Sequence, residues 1–179
     1  IGSTQDYYNE DLLYKMFGIN AELLIDHAWG YEPVTMDLIK SYRPETNCIS
    51  SGQVLHCAMD FTKTKIIVRE MAEQLALDLM AKKLVTDQIV LTVGYDIDNL
   101  KIPEIADHYH GEITVDRYGR SVPKHAHGTG NLTTMTASLS KITETTMGLY
   151  ERIVNPSLLT RRITLTANHL KDADKVKDE

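Results

Sequence analysis

The segment Thr86–Asp96 reads TDQIVLTVGYD. Its apolar side chains alternate. Ile89, Leu91, Val93 and Tyr95 point one way, and Gln88, Val90 and Thr92 the other, which is the period of a strand with one buried face. Upstream, residues 60–84 carry the opposite signature. Ile67, Val68, Met71, Ala72, Leu75 and Leu79 recur at helical spacing, Asp60 or Thr62 supplies a cap, and Lys82 and Lys83 suit the C-terminal end. A strand over Ser50–Leu55 precedes that helix.

Downstream, a long connection over 96–123 carries a strand-like piece, GEITVDRYGR, with a turn at Tyr118–Gly119. GNLTTMTA (130–137) reads as a strand. Residues 138–155 read as a helix with Ile142, Leu149, Tyr150 and Ile153 inward, stopped by Pro156. TRRITLTANHL closes the pattern as a last strand, with Ile163, Leu165 and Ala167 on one face. The order is β-α-β-β-α-β, the ferredoxin-like order, in an α+β fold with an open four-stranded sheet. Helices then cover one sheet face. The other face carries Gln88, Thr92, Arg162, Thr164, Thr166 and Asn168, and reads either as solvated surface or as a surface for a nucleic-acid backbone.

Residues 9–30 read as two short helices. Asn9 caps the first, Glu10 and Asp11 face its positive end, and Leu12/Met16 and Leu13/Phe17 form a stripe. Gly18 stops it, Asn20 caps the second, Leu23, Leu24 and Ala28 point inward, and Gly30 and Pro33 end it. A helix start after a glycine turn suits a phosphate oxygen, although a plain helix–helix turn has the same sequence. Residues 31–52 lack helical period and read as an extended linker, with the domain boundary near 40–48.

The formal charge is −6, which counts against nucleic acid until its distribution is read. Residues 1–38 hold one cation, Lys15, against Asp6, Glu10, Asp11, Glu22, Asp26, Glu32 and Asp37, so they carry the whole excess. The remainder is balanced and leaves room for local basic clusters: Arg117, Arg120 and Lys124 with His125 and His127, and Arg161 with Arg162. No apolar run approaches the ~18 residues of a membrane span, and no leader-like start is present. Cys48 and Cys57 fit no metal spacing and read as free thiols of a cytoplasmic chain. The pairs His125/His127 and His108/His110 raise zinc, but no further ligands stand at a recognised spacing, so no metal is expected. Asp96 and Asp98 read as turn residues.

Four stretches in order, LLYKMFGINAELLIDHAWG, IKSYRPETNCISSGQVL, VPKHAHGTGNL and RRITLT, resemble the Y-family translesion DNA polymerases, closest to the UmuC-like branch of Gram-positive bacteria. The resemblance spans roughly residues 1–170. It implies that 1–38 form the second half of a helical thumb, 39–48 a linker, 49–170 the little finger and 171–179 a flexible tail. The palm, a nucleotidyltransferase with Mg2+-binding carboxylates, would precede Ile1, so this C-terminal fragment would bind primer–template duplex in DNA repair without catalysing synthesis. The implied DNA-binding residues are Gly18, Asn20, Ser50, Ser51, Gly52, Arg120, Lys124, His125, His127, Arg161, Arg162 and Thr164.

A sliding clamp would dock outside the fragment, because EQLALDLM (73–80) serves a helix core. Phosphate contacts of this kind carry no sequence code, and Arg120→Ala and Arg162→Ala are each expected to flatten the salt dependence by about one unit. A stand-alone nucleic-acid-binding module and a ferredoxin-like regulatory or ligand-binding domain are the alternatives.

Overall fold

The computed structural model describes residues 7–42, 47–116 and 118–176, with side chains from residue 10. Arg43, Pro44, Glu45 and Thr46 of the expected linker, Arg117 of the expected basic cluster, and the ends of the chain lie outside the described residues. The chain divides into two compact units, 1–45 and 46–179.

The first unit is helical: α1 (Tyr7–Phe17), α2 (Asn20–Ala28) and α3 (Met36–Ser41). Gly18 ends α1 at φ +59°, where a side chain would strain the backbone, and its N–H donates to the Tyr14 carbonyl (2.8 Å). Gly30 ends α2 in the same way at φ +77°. Asn9, expected to cap α1, lies inside it, because the helix starts at Tyr7, and two expectations fail at α2. Ile19, not Asn20, occupies the cap of α2, and it contributes no side-chain bond. Leu23 and Leu24 do not point inward; they are 51% and 43% exposed, and Ala21 is the buried residue of the helix. A further difference is α3, inside the stretch read as extended. Thr35 starts it by accepting from the Leu38 N–H (3.3 Å).

The second unit is α+β with an antiparallel sheet. Its elements are β1 (Ile49–Met59), α4 (Phe61–Ala81), β2 (Leu84–Tyr95), a 3-10 turn (Ile97–Leu100), α5 (Pro103–Ala106), β3 (Ile113–Val115), β4 (Ser121–Pro123), β5 (Ala126–Thr136), α6 (Leu139–Ile153), β6 (Thr160–Asn168), β7 (Lys171–Asp172) and α7 (Ala173–Val176). The main sheet runs β1-β6-β2-β5, and β3 and β4 form a separate hairpin. Each strand–helix–strand unit therefore brackets one strand of the other: β6 lies between β1 and β2, and β2 between β5 and β6. Residues 171–176 are not a frayed tail. β7 pairs with Leu84 and Val85, and the Ala173 N–H donates to the Lys83 carbonyl (2.9 Å).

The core lies between one sheet face and α4 with α6. From α4 come Val68, Met71, Ala72, Leu75, Ala76 and Leu79, and from α6 Ile142, Leu149 and Tyr150. Against them stand Ile89, Leu91 and Val93 of β2 and Ile163, Leu165 and Ala167 of β6. Asp60 caps α4 by accepting from the Lys63 N–H (2.9 Å), and that bond holds its carboxyl below the usual carboxylate range. The Tyr150 hydroxyl donates to the Phe61 carbonyl (2.9 Å), and burial pushes its pKa up.

β5 begins four residues before its expected start. In the positions that face α6 it carries Gly128 and Gly130. A Cβ on Gly128 would stand 2.9 Å from Ile153 Cγ2, and one on Gly130 2.8 Å from Thr145 Cγ2. The glycines thus let α6 approach the edge strand closely.

Candidate nucleic-acid interface

The sheet face opposite the helices is polar, and the register arranges it in rows. Gln88 of β2 lies between Asn168 and Asn131; Val90 between Thr166 and Thr129; Thr92 between Thr164 and His127; Gly94 beside Arg162. On the far side of β6, β1 adds Ser50 beside Thr166, Gly52 beside Thr164 and Val54 beside Arg162.

Side chains bond along these rows. Ser50 Oγ and Thr166 Oγ1 share a hydrogen bond (2.8 Å), as do Thr92 Oγ1 and His127 Nδ1 (2.9 Å). Gln88 Nε2 donates to Asn131 Oδ1 (3.2 Å), and Asn168 Nδ2 donates to Gln88 Oε1 (3.0 Å). Such bonds fix rotamers in advance of any ligand, so less freedom is lost on binding.

At the Arg162 end of this face the β3–β4 hairpin side and the 3-10 turn raise the walls of a concavity of about 1090 Å³. A bulge delivers two consecutive arginines into it. Gly94 faces Arg162 but Tyr95 faces Thr160, which leaves Arg161 as the extra residue of β6. In a regular strand neighbours point to opposite faces, whereas here Arg161 and Arg162 line one concavity. A Cβ at Gly94 would lie 3.4 Å from Arg162 Cβ, at ordinary van der Waals contact with the arginine stem.

The three groove arginines are in different states. Arg162 is exposed and has no ion-pair partner among the described residues. Arg161 Nε stands 3.8 Å from Asp96 Oδ2, a loose contact with a carboxylate that also caps the 3-10 turn through the Asp98 N–H (2.9 Å). Arg120 is gripped by Asp116, with Nε to Oδ2 at 2.8 Å and Nη2 to Oδ2 at 2.7 Å, and its guanidinium lies 5.0 Å from the Tyr118 ring centroid. The guanidinium bond holds the Asp116 carboxyl below its ordinary range and raises Arg120 in turn. The lining is thus formally neutral, with Arg120, Arg161 and Arg162 against Asp96, Asp98 and Asp116.

The remaining candidates divide by location. Ser50, Gly52, Thr164 and His127 share the open face with Arg162. His125 lines the concavity with Arg120 and Arg161, its ring edge-on to His127 (centroids 6.4 Å apart). Ser51 faces Leu165, on the helix side of the sheet, so it does not join them. Lys124 is paired with Glu112 (2.7 Å) and does not line the concavity.

Gly18 and Asn20 belong to the other unit. There the N–H groups of Ala21 and Glu22 are already bonded to the Gly18 and Ile19 carbonyls (3.0 and 3.2 Å). Val54, His56 and Tyr118 line the groove and were not among the binding residues expected from sequence, where Tyr118 was read only as a turn residue; the period-2 pattern of β1 could have pointed to the first two. Among the described residues no group of His, Cys, Asp and Glu could hold a metal ion, and no helix is long and apolar enough to cross a membrane. The sequence matches no protein-family model and no curated protein.

Proposed function

We propose that this chain is the DNA-binding C-terminal part of an error-prone Y-family DNA polymerase of the UmuC-like branch, and that it grips primer–template duplex through phosphates. The observation that carries the reading is the uncovered polar sheet face leading into a groove that holds Arg161 and Arg162 side by side. Hydroxyls, amides and guanidinium groups match phosphate and sugar oxygens. The described rows of that face carry no Phe, Tyr or Trp on which the bases of a single strand could stack; the rings of Tyr95 and Tyr118 lie in the groove beyond them.

Contacts of this type set register without reading sequence, which suits synthesis across damaged templates. On this reading the magnesium-holding carboxylates and the nucleotidyl transfer belong to a palm elsewhere in the polymerase, and a sliding clamp docks through a region outside this chain.

The test is fluorescence anisotropy with labelled 20-bp DNA duplexes of unrelated sequence, between about 50 and 200 mM salt. Equal affinity for the duplexes, a steep salt dependence, and a log–log slope flattened by about 0.9 in Arg162→Ala are expected. A slope unchanged by Arg162→Ala removes the groove from the interface. Arg120→Ala, expected from sequence to match it, should do less, since Arg120 is already held by Asp116.

A further inference from the structure

We propose that Asp116 is a positioning residue that limits the affinity of the groove for polyanions by withholding Arg120, an inference that rests on the nucleic-acid reading above. Its two oxygens do separate work. Oδ1 accepts the backbone N–H groups of Tyr118 (2.8 Å) and Arg120 (3.0 Å), and so ties the turn of the β3–β4 hairpin. Among the described residues Oδ2 accepts only from the Arg120 guanidinium, through Nε and Nη2.

With one edge on the carboxylate and the Tyr118 ring nearby, Arg120 is the most constrained of the three groove arginines. Charge-assisted pairs of this kind are among the stronger hydrogen bonds. A phosphate can take the paired edge of Arg120 only by displacing a carboxylate already in place, and at the remaining edge it meets a guanidinium whose charge that carboxylate offsets. The groove therefore presents a graded set: Arg162 ready, Arg161 loosely held, Arg120 withheld.

The division of labour makes the idea separable from folding. Asparagine at 116 keeps an Oδ1 acceptor for both turn N–H groups and replaces Oδ2 with an amide that cannot accept from Arg120. Asp116→Asn thus frees the arginine while retaining the turn. Asp98→Asn removes the same charge from the same groove and releases Lys101 (2.8 Å), which does not line the groove, rather than an arginine.

The experiment measures binding of the whole chain to a labelled 20-bp DNA duplex across a salt series, for wild type, Arg162→Ala, Arg120→Ala, Asp116→Asn, Asp98→Asn and Asp116→Asn/Arg120→Ala. Arg120→Ala alone, which leaves the Asp116 carboxylate unpaired, should weaken binding by less than Arg162→Ala does. Asp116→Asn should bind about fivefold tighter with a slope steeper by about 0.9, and the double variant should return to the wild-type level. A gain that survives in the double variant, or that Asp98→Asn reproduces, overturns the proposal. So does a loss in Arg120→Ala equal to that in Arg162→Ala.

If Arg162→Ala changes nothing, the groove reading fails and this inference falls with it. If Arg162→Ala weakens binding while Asp116→Asn does nothing, Asp116 alone is refuted. An NMR measurement covers a poorly folding variant: in the wild type the Arg120 Nε–H should exchange with water at least tenfold more slowly than that of Arg162. Equal rates overturn the withheld state directly.

Discussion

The two units dispose of their apolar side chains in opposite ways. In the sheet unit Leu75, Leu79, Ile89, Leu91, Ile142, Ile163 and Leu165 are almost wholly removed from water. In the helical unit Met16, Phe17, Ile19, Trp29, Met36 and Leu38 remain about half exposed or more, and Ala21 is the single buried residue among its described side chains. The described residues of these three helices enclose almost no apolar surface, whereas the sheet with two helices across one face does.

The largest expected effect sharpens that contrast. Leu91→Ala should cost about 2–5 kcal/mol of the sheet unit's stability by urea titration, since Leu91 is fully buried between strand neighbours and helices. Leu23→Ala, at a half-exposed position in α2, should stay within about 0.5 kcal/mol. Equal costs at the two sites would erase the distinction between the units. Next in size, Gly130→Val should destabilise by about 1–3 kcal/mol, because its Cβ meets Thr145 Cγ2 at 2.8 Å under α6. A neutral result in the same titration would mean that α6 is free to retreat from β5.

Tyr150→Phe should cost about 1 kcal/mol by leaving the Phe61 carbonyl without its donor. The raised pKa of Tyr150 gives the pH sign. The unfolded phenol ionises near pH ~10 while the folded one stays neutral, so stability holds below that pH and falls above it. Tyr150→Phe should remove that part of the alkaline loss in a melting-temperature profile. The smallest effect is at Asp60. Its lowered pKa means that the cap contributes above the ordinary carboxylate range and is lost as pH falls through the folded value. Asp60→Asn keeps an acceptor for the Lys63 N–H and should shallow the acid limb of the same profile; an unaltered limb would place the acid sensitivity elsewhere.

Strands whose inward positions are apolar were legible: β2 and β6 follow from alternation at Ile89, Leu91 and Val93 and at Ile163, Leu165 and Ala167. The start of β5 was not, because Gly128 and Gly130 fill its inward positions and glycine gives no hydrophobic signal even where it is sterically required. β1 runs four residues past its expected end, through His56, Cys57, Ala58 and Met59, where the sequence shows no alternation of apolar and polar residues. β7 and α7 depend on pairing with the start of β2, a contact remote in sequence.

At the candidate site, the polar rows followed from strand period. The turn at Tyr118–Gly119 was anticipated too, and Gly119 does adopt φ +77°. The bulge that turns Arg161 toward the groove, and the Asp116–Arg120 pair across that turn, were not. A residue spacing of four suggests a helix neighbour, and only the hairpin geometry makes it a clasp.

The sheet's two outer strands also differ in a way that bears on self-association. Arg152 of α6 donates from Nη2 to the Thr129 carbonyl on β5 (2.9 Å), so part of that rim's bonding capacity is occupied from within the molecule. β1, uncharged from Ile49 to Met59 and free of proline, has no comparable plug along its outer rim among the described bonds. The two rims are thus unequal, and an added strand meets less competition along β1 than along β5.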